Sequence, residues 1–109
     1  MADIPESDWK KIRSMEKDKL DTLCESVLTK IRAIIDDDTK GPHERYLDLW
    51  KVIKHKDKVI AKLFNDFKRS NATTRLIHWV NEDLLSEEEF ESFSQETQKR
   101  LKFLCQLKP

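Results

Sequence analysis

Glycine occurs once in this 109-residue chain, at Gly41, and proline three times, at Pro5, Pro42 and Pro109. A sheet protein of this length needs several tight turns, most of them built on Gly, Asn-Gly or Pro-Gly pairs. None of those pairs is present. A single glycine also excludes a phosphate-cradling Gly-rich loop, a dinucleotide fingerprint and a Gly-x-Ser-x-Gly nucleophile elbow. No stretch approaches the roughly 18 consecutive apolar residues of a membrane span. The first residues, Met1 to Lys11, are too polar for the core of a signal peptide. Only two cysteines occur, Cys24 and Cys105, far apart and near helical apolar stripes. They read as reduced thiols in or beside a core and imply a cytoplasmic protein, with a bridge between the first and last helices as the alternative.

What fills the chain instead is charge, at 39% of residues, with a net charge of zero. Leu, Ile, Val and Phe are too frequent, and the charges too well balanced, for a disordered chain. Lys, Glu, Leu and Arg favour helices. The expectation is an all-α fold in a single domain covering residues 1–109. Its architecture is a long antiparallel helical hairpin with short C-terminal helices packed on it, a three- to four-helix bundle.

The first helix is expected over about 6–37. Asp3 with Glu6 has capping-box spacing around Pro5, and Ser7 is an alternative N-cap. From Leu20 the apolar residues Leu23, Cys24, Val27, Leu28, Ile31, Ile34 and Ile35 follow at steps of three or one, a single-face helical pattern. Asp36, Asp37 and Asp38 oppose the helix dipole at a C-terminus, and Gly41-Pro42 completes the stop. The second helix opens with Gly41 as N-cap and Pro42 in the first turn. Its seam, Tyr46, Trp50, Ile53, Asp57, Ile60, Phe64 and Phe67, alternates steps of four and three. With no Gly or Pro between Phe67 and Asn81, one helix over 42–81 is expected, with a kink near Ser70 where helix propensity is poor. Ser86-Glu87-Glu88-Glu89 is a capping box opening a short helix over 87–92, and Ser94 to Thr97 starts another over 95–106.

The chemistry-bearing residues form no recognisable set. His43, His55 and His78 have no His or Cys three or four residues away, and no Glu has a His three residues on. Zinc clamps and di-iron bundles need those spacings. No cofactor, metal or catalytic residue is expected, and the chain reads as a non-enzyme.

Two polar features remain. Asp57 interrupts the seam; it either pairs with Arg13 or Arg32, sits at the seam's edge facing solvent or a lysine, or fixes helix register or oligomeric state. Lys51, Lys54, His55, Lys58, Lys62 and Arg69 fall in one sector of the second helix, nearly opposite the seam. Such a face is either solvated or tracks a phosphate backbone. Residues 43–81 carry nine Lys/Arg against four acids, whereas 82–98 carry seven acids and no base. The acidic segment is expected to be able to fold back on the basic one. Trp9, Trp50 and Trp79 suit core anchors. Two long helices cover only one another's faces, however, so Leu47, Val52, Val59, Trp79 or Leu85 are candidates for partial exposure, and a contiguous patch would mark a partner site.

Four stretches, Pro5-Glu6-Ser7-Asp8-Trp9, Pro42-His43-Glu44-Arg45-Tyr46-Leu47, Phe64-Asn65-Asp66-Phe67-Lys68-Arg69-Ser70 and Leu84-Leu85-Ser86, resemble a family of small all-helical bacterial proteins of unknown function. The likeness spans most of the chain and departs from the family at Gly41, where relatives carry a polar N-cap. It implies a bacterial, cytoplasmic, helical protein and supplies no active site. The leading expectation is a protein–protein interaction or self-associating helical module, with a protein partner or a homodimer. Nucleic-acid binding through the basic stripe is the alternative.

Overall fold

The computed structural model describes residues 4–106, and every regular element among them is helical. Helix α1 spans Glu6–Ile35, α2 Pro42–Phe64, α3 Ala72–Asn81, α4 Glu87–Glu91 and α5 Gln95–Gln106, with a 3-10 turn at Arg69–Asn71. The all-α hairpin architecture is therefore present: α1 packs on α2, α2 on α3, and α3 on α5.

Pro5 occupies the N-cap position of α1, and Glu6 and Asp8 place negative charge in the first turn, where the helix dipole favours it. Ser7 lies inside the helix; the expected role of Asp3 falls outside the described residues. The helix stops at Ile35, just short of the three aspartates. The turn that follows is tied by side chains rather than by glycine conformation. The Asp37 carboxylate accepts the Thr39 N–H (3.1 Å) and hydroxyl (2.5 Å). Lys40 donates to Asp48 (2.8 Å), and the Arg45 guanidinium donates to the Ile35 carbonyl (2.5 Å), one of the carbonyls that α1 leaves without a helical partner. Gly41 and Pro42 hold the N-cap and first-turn positions of α2.

The second helix does not run to Asn81. It ends at Phe64, and residues 65–71 form a turn that redirects the chain. No glycine or proline makes this break. Asp66 adopts a left-handed conformation (φ 53°), which Asp tolerates better than most residues. The exposed carbonyls of α2 are then capped from α3: Arg75 donates to Lys62 and, at 2.8 Å, to Asn65, and the Trp79 indole donates to Leu63 at 3.3 Å. Asn71 closes the turn by accepting the Lys68 N–H (2.9 Å) and donating to the Asp66 carbonyl (2.8 Å). Phe67 is freed to pack against both Trp9 and Trp79, with ring centroids 5.8 and 5.5 Å away.

Helix α3 ends in a Schellman motif. The Asp83 N–H donates to Val80 and the Leu84 N–H to Trp79, while Asp83 takes a left-handed φ of 57° and Leu84 is buried. A Cβ is unfavourable there. Asp83→Gly should therefore stabilise the protein by about 1 kcal/mol, read in thermal melts as a rise in Tm of roughly 4–8 °C. The Ser86 capping box of α4 is formed as expected, with Ser86 accepting from the Glu89 N–H and Glu89 accepting from the Ser86 N–H.

The fully buried side chains, among them Ile4, Ile12, Leu63, Leu76, Trp79 and Leu101, all lie at one end of the molecule. There α3–α5 cover one side of the α1–α2 pair. Leu23 and Val27 are the last buried residues of α1. Beyond them the hairpin projects with only two helices to shelter its apolar residues. The molecule measures 52 × 29 × 24 Å with a radius of gyration of 16.9 Å, against roughly 13 Å for a compact chain of this length.

Candidate interaction surface

Apolar residues that recur every three or four positions form a stripe, and a helix carries room for two such stripes side by side. On α2 the stripe that faces α1 is Leu49, Val52, Lys56, Val59 and Leu63, all half-buried or buried. The expected seam lies one residue further round. It is buried at Phe64 and half-buried at Ile60 and Phe67, but its first half is turned outward: Tyr46 is 65% exposed, Trp50 56% and Ile53 38%. Trp50 is thus no core anchor, whereas Trp79, read both as a core anchor and as a candidate for partial exposure, is wholly buried as an anchor. Leu47 is exposed as expected, and Val52, Val59 and Leu85 are half-buried.

The first helix has a matching stripe. Leu28 and Ile35 are 46% and 50% exposed, with Cys24 and Ile31 half-buried between and beside them. Two grooves show that both stripes lie on the same side of the hairpin. Near the tip, Ile35 lines a groove of about 300 Å³ with Pro42, Tyr46 and Leu49. Near the base, Arg13, Lys17 and Leu20 line one of about 390 Å³ with Ile60 and Phe64. Helix α3 packs on the opposite side, where His78 and Asn81 share a groove with Val59 and Leu63. The five exposed apolar side chains of this face, Leu28, Ile35, Tyr46, Trp50 and Ile53, amount to roughly 400–500 Å² of uncovered surface, at about 150–200 Å² for a large side chain. A patch of this extent is often functional.

Asp57 sits within this face, exposed and without an ion pair among the described residues. Neither expected partner reaches it: Arg13 pairs with Glu16 (3.1 Å) and Arg32 with Glu25 (3.5 Å). The basic stripe is real along α2, where Lys51, Lys54, His55, Lys58 and Lys62 are all exposed. Arg69 does not belong to it. The chain turns away after Phe64, and Arg69 donates to the Ile4 carbonyl at 2.9 Å. The acidic segment does not fold onto the stripe through Glu89; that residue pairs instead with Lys19 of α1 at 2.5 Å.

A third polar constellation had no signature in the sequence. Asp8 is buried in the first turn of α1, and its carboxylate accepts three hydrogen bonds: from the Ser94 N–H (2.9 Å), the Ser94 hydroxyl (2.6 Å) and the Thr97 hydroxyl (2.6 Å). Ser94 in turn accepts the Thr97 N–H at 3.3 Å, so Asp8 and Ser94 together cap α5. Burial disfavours the carboxylate, but these hydrogen bonds outweigh it and hold Asp8 below its ordinary value of 3.8. Asp8, Ser94 and Thr97 line none of the grooves above, and the arrangement ties two helices together. Among the described residues no group of His, Cys, Asp and Glu could hold a metal ion, and no helix is long and apolar enough to cross a membrane. Cys24 and Cys105 are free thiols, each half-buried.

No protein-family description, curated protein or solved structure matches the chain.

Proposed function

We propose that this protein is a non-enzymatic, self-associating helical module that works through the uncovered apolar face of its α1–α2 hairpin, in the cytoplasm of a bacterium. The observation that carries this reading is the outward Tyr46–Trp50–Ile53 stripe beside Leu28 and Ile35. Water is a poor neighbour for three such side chains in succession on α2 with two more beside them on α1. A second hairpin laid on this face would complete a four-helix bundle and enclose them. Free thiols and an apolar face without a membrane span fit a cytoplasmic protein.

Sedimentation across a wide concentration range tests the reading. The wild-type chain should dimerise, and Trp50→Glu should weaken dimerisation roughly thirtyfold or more, as expected for a central aromatic anchor. Helical content should stay unchanged, because Trp50 is more than half exposed and lies outside the buried core. A wild-type chain that stays monomeric at every concentration refutes the reading.

A second reading rests on the exposed basic residues of α2. Duplex or single-stranded nucleic acid would bind along Lys51 to Lys62 with steep salt dependence. Lys51→Glu with Lys62→Glu should then abolish binding; absence of binding by the wild type at low salt removes this reading.

A further inference from the structure

The charges that border the apolar face differ in sign between the two helices. In each helix, the residue that follows a face position is turned about 100° further from the neighbouring helix and so forms the outer rim. On α1 those rim residues include Asp18, Asp21 and Glu25, which follow Lys17, Leu20 and Cys24. On α2 they include Lys51, Lys54 and Lys58, which follow Trp50, Ile53 and Asp57. All six are exposed. Arg32 is the basic exception on α1, and its guanidinium already faces Glu25. The α2 lysines have no ion pair among the described residues.

Position along the hairpin matters as much as sign. Leu20 and Ile60 line the same groove near the base, and Ile35 and Tyr46 the same groove near the tip. Residues equally far from the turn therefore lie level, which sets Asp21 level with Lys58 and Glu25 level with Lys54. Within one chain these rims stand on opposite edges of the face and cannot meet.

From this we infer that, in the self-association proposed above and resting on it, the two copies pair with their hairpins pointing the same way, α1 of each copy lying on α2 of the other. The two-fold axis then runs along the hairpins. The acidic rim of each α1 meets the lysine rim of the other copy's α2 at the same level, on both edges of the interface. Every neighbouring helix pair in the resulting bundle is antiparallel. The alternative, α1 on α1 and α2 on α2, sets acidic rims against each other and lysine rims against each other. Helices α3–α5 pack on the opposite side of the hairpin and leave the face free. Apolar area from two copies comes to roughly 800–1,000 Å², and the rims add to it toward the range of about 1,200–2,000 Å² of stable interfaces.

The test compares three proteins by sedimentation at low salt, with circular dichroism to confirm equal helicity: wild type, Lys54→Glu/Lys58→Glu, and that pair combined with Asp21→Lys/Glu25→Lys. The double variant sets acid against acid on both edges and should dimerise roughly a hundredfold more weakly. The quadruple variant restores opposite charges and should dimerise like the wild type, yet fail to exchange subunits with it. A double variant that dimerises as well as the wild type overturns the pairing while leaving self-association intact. So does a quadruple variant that remains helical and monomeric, or one that mixes freely with wild type. A monomeric wild type instead overturns self-association itself.

Discussion

Replacing Asp8 with alanine should lower folding stability by about 3–5 kcal/mol, the range for removing one partner from a buried charged cluster. Three donors lose their acceptor at once: the Ser94 N–H, the Ser94 hydroxyl and the Thr97 hydroxyl. The two hydroxyls retain one another at 3.3 Å, so the loss falls short of three separate hydrogen bonds to a carboxylate. Asp8→Asn keeps one acceptor oxygen and should lose less. Chemical denaturation at neutral pH, followed by circular dichroism, orders the three proteins.

The same carboxylate gives the protein an acid limit. Because its value in the folded state lies below the ordinary 3.8, its contribution is fully present above that ordinary value. It is lost as pH falls from there through the folded value. Glu89 is also depressed: burial opposes its charge, but Lys19 and Ser86 outweigh that effect. Its contribution fades in the same direction. The stability difference between wild type and Asp8→Asn should therefore shrink below pH 4, and that difference isolates Asp8 from Glu89. A difference that stays constant down to pH 2 contradicts this account.

Features of local origin were readable in the sequence. The turn at Gly41-Pro42, the start of α1 behind Pro5 and the Ser86 capping box depend on residues within a few positions of each other. Features that depend on distant partners were not. The break after Phe64 is held by Arg75 and Trp79, which cap carbonyls 10 to 16 positions earlier. Asp8 looks in sequence like an ordinary first-turn acid, and its partners lie 86 and 89 positions away. The seam of α2 was legible as a stripe but not as to which neighbour it meets. Two adjacent stripes share the same period, and only the packing shows that Leu49, Val52 and Lys56 face α1 while Tyr46, Trp50 and Ile53 do not. The face that supports the functional proposal was thus present in the sequence as a pattern, without the packing that decides which half of it stays uncovered.

Trp79→Ala is the second large effect, at about 3–5 kcal/mol, the range for emptying an aromatic site in a core. Trp79 is completely buried, contacts Phe64 and Phe67 at centroid distances of 5.7 and 5.5 Å, and its indole N–H caps Leu63. It therefore links the end of α2, the redirecting turn and α3. Against the 5–15 kcal/mol typical of whole domains, this loss removes a large share of stability. Trp79→Phe keeps the ring contacts, loses the indole donor and should lie between. Guanidinium titrations of the three proteins measure the series, and Trp50, being exposed, gives a fluorescence signal that reports little of the core.

The bond between Asp8 and Ser94 also bears on the order in which a ribosome releases the chain. The base cannot close until α5 has emerged, because the acceptor for its cap waits on the first turn of α1. The hairpin needs only residues up to about Phe64. While the residues after Phe64 are being added, both helices of the hairpin are already present and the base is unfinished. The hairpin's apolar stripe then faces the surroundings, within reach of the same stripe on a chain growing from the next ribosome of the same message. Pairing during synthesis would bury that surface before the base exists to support it.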